Sequence, residues 1–258
     1  MQNFNLWNKL YIHGQKIGAF LFLLLLVCSA DGYGQNVKTT NLPNYDNRWL
    51  HYGFQIGLHT AKYQARYADA FIEDQQDSDL RALGAVMGPL RPGFSLGFIV
   101  NLRLHDQFDL RFLPQVSFDE YQLSYIPKDP DSEYPNPLPV DQTTVEFPLL
   151  LKYKSIRRGN TRMYLIGGVA ASVLASNNKK EEINFEEELF VKNTGLSLEL
   201  GVGLDQYFPL FKFAPELRYS LGLTNVLGDA SEIPDELFFS KPLKSLKIHK
   251  LTLYLNFE

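Results

Sequence analysis

The alternation of apolar and polar residues is what most constrains this chain. From Phe94 the even positions read Phe94, Leu96, Phe98, Val100, Leu102 and Leu104, while the odd positions read Ser95, Gly97, Ile99, Asn101, Arg103 and His105. Successive side chains of a strand point to opposite faces, so a period of two predicts a strand with one greasy and one wet face. The pattern returns from Phe108 to Phe118, with Leu110, Phe112 and Val116 on the apolar side and Pro114 in the same series. Asp109, Arg111, Leu113, Gln115, Ser117 and Asp119 lie opposite. Further alternating runs cover residues 50–58, 145–153, 163–173, 196–204, 211–223 and 251–257. Together these predict eight strands, most close to the about 9–11 residues that a tilted membrane strand needs.

The connections alternate as well. Long stretches at 60–93, 122–142, 176–192 and 225–247 take turns with tight ones at Asp106, 157–160 and 208–210. The first long stretch carries the acidic run 73–79, the second Pro127, Pro130, Pro135, Pro137 and Pro139, and the third Glu181, Glu182, Glu186, Glu187 and Glu188. Long loops on one side and short turns on the other are the asymmetry of outer-membrane barrels. The chain is therefore expected to be all-β, an eight-stranded antiparallel up-and-down transmembrane β-barrel over residues 49–258. A soluble lipocalin-like barrel or a β-sandwich also alternates, but hides its apolar face inside. Nearly unbroken Leu, Phe and Val on one face, against charges of both signs and several glycines on the other, favour the membrane. Phe257, next to the last residue, resembles the C-terminal signal that such barrels present to their insertion machinery.

Residues 1–16 carry Lys9 and Lys16, residues 17–27 are uninterruptedly apolar, and Cys28, Ser29, Ala30, Gly32 and Gly34 follow. A basic start, a short apolar run and small residues describe a secretory signal peptide, here expected over 1–34. The apolar run is shorter than the roughly 18–20 residues of a spanning helix, which disfavours a signal anchor. Val27 before Cys28 disfavours a lipoprotein signal. Residues 35–48 are expected as a periplasmic N-terminal segment. Cys28 is the single cysteine, so the processed chain offers no disulfide and no thiolate metal site. A net charge of −4 is too small to point to nucleic acid as a partner; outer-membrane lipid is the expected surroundings.

With the apolar faces toward lipid, the lumen would hold Arg103, Arg111, Lys152, Arg162, Arg218 and Lys250 with Asp109, Asp119, Glu146, Glu199, Asp205 and Glu216. Eight strands leave an interior just wide enough for side chains to fill, and buried charges must be paired. A lumen closed by an ion-pair network is expected over a gated polar pathway. Gly201 and Gly203 fit crowding in so narrow a space. His51, His59, His105 and His249 are expected as interfacial or lumen residues; His59 stands near a loop end where Ser78, Ser172 or Ser176 could make a lipid-modifying pair, but nothing in the sequence brings them together. No Gly-rich phosphate loop and no His/Cys cluster is present. No enzymatic activity, cofactor, metal or small-molecule substrate is expected.

Asn41-Leu42-Pro43-Asn44-Tyr45-Asp46 before the first strand resembles the start of mature proteins of the PorT family, and Lys241-Pro242-Leu243-Lys244-Ser245-Leu246 before the last strand is similar to that family's ending. The resemblance implies an outer-membrane barrel of a Gram-negative bacterium, a member of the Bacteroidota. It also implies a place in the type IX secretion system, which supports gliding motility in some members, with other components of that system as partners. A side-chain-filled lumen cannot pass a folded protein, so the implied role is that of an accessory or assembly factor. The other readings are a free-standing structural or adhesive barrel and, third, a lipid-modifying enzyme.

Overall fold

The computed structural model describes residues 40–68, 83–129, 140–177, 192–227 and 242–258. The expected signal peptide, the acidic run 73–79 and the glutamates of 181–188 lie outside the described residues.

The wall strands are β1 (Leu50–Tyr67), β3 (Arg91–Arg103), β4 (Phe108–Phe112), β5 (Gln115–Tyr121), β7 (Val140–Lys154), β8 (Thr161–Asn177), β9 (Thr194–Tyr207), β10 (Lys212–Gly222) and β11 (Leu243–Phe257). β4 and β5 are halves of one strand, since both pair with β3 on one side and β7 on the other. Pro114, which has no N–H to give a ladder, marks the break. Pairing continues across it, with Phe98 N–H donating to the Pro114 carbonyl (2.9 Å) and Leu113 N–H to that of Pro148 (3.0 Å). Counting the halves once leaves the eight-stranded ring that the alternation predicts, every pair antiparallel. β1 closes it, pairing with β11 from Phe54↔Phe257 onward and with β3 from Leu50↔Leu102. Closure removes the sheet edges, so every wall strand has two partners.

The faces divide as the sequence predicts. Leu200 is 59% exposed while its neighbour Glu199 is 3% exposed, and Leu217 is 47% exposed beside Arg218 at 1%. An apolar exterior around a charged interior is the inverse of a soluble barrel. Trp49, Tyr52, Phe108, Tyr153, Phe208 and Phe211 ring the short-turn end on the outside, where aromatic side chains bridge hydrocarbon and headgroups.

The long connections need correcting. β1 runs on to Tyr67 and β11 begins at Leu243, so 60–67 of the first long connection and 243–247 of the last are strand rather than loop. β2 (Leu83–Met87) and β6 (Ser124–Pro127) form a separate two-stranded sheet beyond the β3–β5 hairpin. An apolar cluster of Ala61, Tyr63, Leu83, Val86, Tyr121, Leu123, Tyr125, Val226, Leu227, Leu243 and Leu246 supports this extension. Its residues sit where alternation weakens, because beyond the wall both faces of a strand can be covered by protein.

Candidate functional site

The inward parity of the strands decides which charges meet. Toward the long-loop end, Lys250 of β11 reaches across the lumen to β5 and β7, its Nζ 2.8 Å from Asp119 and 2.7 Å from Glu146. Asp119 is also 2.7 Å from His59 Nε2 of β1. Gln115 donates to Glu146 (2.5 Å) and to the Tyr254 hydroxyl oxygen (2.9 Å). At mid-height Arg218 bonds Glu199 (3.0 Å) and Glu216 (2.9 Å through Nε), and its guanidinium stands 4.2 Å from the Tyr254 ring centre. Glu216 accepts further bonds from Arg111 across the barrel (3.2 Å) and from the Tyr164 hydroxyl (2.7 Å).

Toward the short-turn end Arg111 pairs with the terminal residue Glu258, which also holds Lys212 at 2.9 Å. Lys152 lies 2.7 Å from Asp205 and 3.6 Å from the Tyr164 ring centre. Asp205 faces Arg162 at 3.4 Å and Lys212 at 3.9 Å. Beside this chain of contacts, Lys154 pairs with Asp109, which accepts a 3.1 Å bond from Asn101. Ion pairs, hydrogen bonds and the contact of Arg218 with the Tyr254 ring thus link His59 at one end to Arg162 at the other. A layer of Ile99, Leu113, Leu150, Tyr164, Ile166 and Ala214 fills the space beside them. Gly203 is glycine because a Cβ there would enter the Tyr164 ring.

The segment before β1 continues the network. Tyr45–Asn47 is a single 3-10 turn, preceded by Leu42 at φ 48°. That left-handed conformation costs a leucine about 1–2 kcal/mol. Tyr45 N–H donates to the Leu42 carbonyl at 3.1 Å, and Arg157 bonds the Asn41 carbonyl while its guanidinium lies 3.6 Å from the Tyr207 ring centre. Asn41 N–H donates to Asn160 Oδ1 (2.8 Å) and Asn41 Nδ2 to the Tyr207 carbonyl (3.0 Å). Asp46 pairs with Arg162 (2.8 Å) and accepts from the Tyr207 hydroxyl (2.9 Å). The Tyr45 ring stacks on His51 at 4.2 Å, and its hydroxyl donates to Glu258 (3.3 Å). Burial pushes the Asp46 carboxyl up, but Arg162, the Tyr207 hydroxyl and Arg157 outweigh it and hold the group below the usual carboxylate range. Burial, with Glu258 and Asp205 nearby, pushes the Tyr45 hydroxyl far above its usual range. Residues 41–46 are therefore seated over the short-turn mouth.

Of the residues assigned to the lumen from sequence, Asp109, Arg111, Asp119, Glu146, Lys152, Arg162, Glu199, Asp205, Glu216, Arg218 and Lys250 are all buried inside the ring. Arg103 is not. β3 ends there, the wall has reached the turn, and Arg103 pairs with the exposed Asp106 instead. The sequence reading leaves Asp46, Lys154, Lys212 and Glu258 out of the network and takes His59 only as an interfacial or lumen residue. Parity alone would have found His59 and Lys212, whereas Lys154 sits at a strand end and Asp46 and Glu258 lie outside strands. His59 is held by Asp119. Ser172 lines a separate cavity, and Ser78 and the Ser176 side chain lie outside the described residues.

That cavity, in the upper lumen between Thr144, Ser172, Ser197, Ser220 and Lys250, holds about 50 Å³. A water needs roughly 10–15 Å³ of such space, so the cavity takes a few waters and no peptide. No group of His, Cys, Asp and Glu among the described residues is arranged to bind a metal, and no described helix is long and apolar enough to cross a membrane. A filled, two-signed lumen within a greasy wall can span a bilayer and stay rigid.

The sequence model of the outer membrane protein beta-barrel domain matches residues 34–228. The chain belongs to this family. The assignment places the barrel in the outer membrane of a Gram-negative bacterium, where the short turns face the periplasm and the long loops the exterior. Among solved structures, the outer-membrane barrel resembles Neisserial surface protein A at 13% identity and a TM-score of 0.40, over 81% of this chain and 97% of that one. It resembles OprG of Pseudomonas aeruginosa at 11% identity and a TM-score of 0.42, over 80% and 93%. It also resembles Ail, the attachment invasion locus protein of Yersinia pestis, at 12% identity and a TM-score of 0.32, over 80% and 96%. Comparison with curated protein sequences gives no significant match.

Proposed function

We propose that this outer-membrane barrel is a non-conducting accessory or assembly component of the type IX secretion translocon of a member of the Bacteroidota, with a structural rather than catalytic role. One observation carries the non-conducting part: the contacts from His59–Asp119 through Lys250, Glu146, Gln115, Tyr254, Arg218, Glu216, Arg111, Glu258, Lys212 and Asp205 to Arg162–Asp46 occupy the lumen over its height. The secretion part rests on the resemblance of residues 41–46 and 241–246 to the PorT family. Residues 41–46 are also the ones seated over the periplasmic mouth, which gives that motif a structural reason to be there.

Three measurements test the reading. The purified full-length barrel in a planar bilayer should show no large stable conductance. A deletion strain should retain type IX cargo inside the cell, and a tagged barrel should co-purify with other envelope components of that system. Normal export from the deletion strain would end the secretion assignment, and a large pore would end the accessory one. Export intact with a loss of surface attachment would favour a free-standing adhesive barrel, for which the β2–β6 extension offers a folded outer platform.

A further inference from the structure

Among the described residues, the exterior of the barrel carries a cationic cluster that the lumen network does not use. On the β1–β11 seam, outward residues run from Leu58 and Leu253 through Thr60 and Leu251 to Lys62 and His249, then to Gln64 and Lys247, and finally to Arg66. Leu58 and Leu253 are half exposed to the lipid side. Lys62, Gln64 and Arg66 are exposed. The step from leucine to lysine falls toward the long-loop end, where the outer leaflet's hydrocarbon gives way to headgroups.

Unlike the cations of the lumen, Lys62, Arg66 and Lys247 have no carboxylate within ion-pair distance among the described residues. His249 sits among them. The residue is 6% exposed, and the charged groups acting on it among the described residues are Lys62 and Lys247. Tyr219 on the adjoining β10 places its hydroxyl 2.8 Å from His249 Nδ1. If the hydroxyl donates there, the proton of the neutral ring lies on Nε2, which is buried and has no hydrogen-bond partner. A buried ring nitrogen without a partner, beside three cations with no carboxylate partner among the described residues and at the edge of an aliphatic surface, is a place that an acceptor-rich dianion would fill. The alternation would have tolerated any polar residue here, but these positions hold charge of one sign only.

We propose that Lys62, Arg66, Lys247 and the Tyr219–His249 pair form a binding site for the phosphorylated headgroup of an outer-leaflet lipid, whose acyl chains lie along Leu58, Leu251 and Leu253. The phosphate supplies the acceptors and the negative charge that the seam lacks. Charge-assisted bonds to lysine and arginine are the strong kind. The site stands on the outside of the wall, so it is independent of the proposed role in secretion. It would hold the β1–β11 closure in register, with β11 the last strand of the chain.

The test titrates lipid A bearing two phosphates into the folded, full-length barrel in nonionic detergent, with dephosphorylated lipid A and inorganic phosphate as separate probes. Bisphosphorylated lipid A should bind and raise the unfolding temperature, and neither other probe should do so. K62Q/R66Q/K247Q should weaken binding about a hundredfold, given the attraction that each basic side chain contributes near an anionic membrane surface. The same variant should unfold at the wild-type temperature in detergent alone. K62Q by itself should weaken binding about fivefold, which keeps the test informative if the triple variant folds poorly. Equal protection by dephosphorylated lipid A or by inorganic phosphate would overturn the proposal, as would undiminished binding by K62Q and the triple variant.

Discussion

At the scale of single residues, burial separates the charges of this barrel into two kinds. Lys250 is held between Asp119 and Glu146 inside the lumen, and removing it would leave two buried carboxylates short of a partner. Breaking a buried pair from one side costs about 3–5 kcal/mol. Lys250→Met should destabilise the folded barrel by that order, read as a lower urea midpoint in vesicles. Asp46 belongs to the mouth, where it is partly exposed. Its folded carboxyl is held below the ordinary value of 3.8, so its contribution is fully present above that value and is lost as pH falls through the lower, folded one. The protection of residues 41–46 from hydrogen exchange, taken relative to the intrinsic rate at each pH, should be high near neutral pH and fall as the pH drops below about 4. In Asp46→Asn that protection should already be lower at neutral pH and should not fall further through this acid range.

Strands impose their own rule, because a period of two assigns each residue to lipid or to lumen with no middle ground. Leu110, Val169 and Leu200 face outward on β4, β8 and β9, and arginine at any of them should cost about 2–4 kcal/mol near the bilayer midplane. Folding yield and heat-modifiable gel mobility measure this, and normal folding of all three variants would contradict the assignment of faces. The rule weakens at strand ends. Arg103 has inward parity but sits where β3 gives way to its turn, and its side chain bends to Asp106. β1 and β11 outrun their alternation because Tyr63, Ala65, Leu243 and Leu246 pack against the β2–β6 extension instead of lipid.

For the whole molecule the consequence of a filled lumen is that its charges act on stability and not on selectivity. Glu216→Gln and Arg218→Met should lower barrel abundance in the outer membrane, since each leaves a buried partner uncompensated. Export of type IX cargo should fall in proportion to that abundance, with the mixture of exported proteins unchanged. A variant with wild-type abundance and an altered set of exported proteins would mean that the lumen takes part in transport, against the proposal.

Sequence by itself determined the membrane barrel, its strand number and the inward residues of its middle stretch, because hydrophobic alternation, tight turns and strand length are local and each residue's face follows from its neighbours. Leu113 and Leu150 could be placed in the lumen by parity even though they are apolar. Which charge meets which was another matter. Lys250 chooses Asp119 and Glu146, and Arg111 chooses Glu216 and Glu258, across a lumen whose diameter and stagger arise only when β1 closes on β11. The seating of Asp46 on Arg162, the β2–β6 extension and the cationic seam of Lys62, Lys247 and His249 likewise depend on segments far apart in the chain. Contacts of that kind carry no periodic trace, so only the tertiary structure decided them.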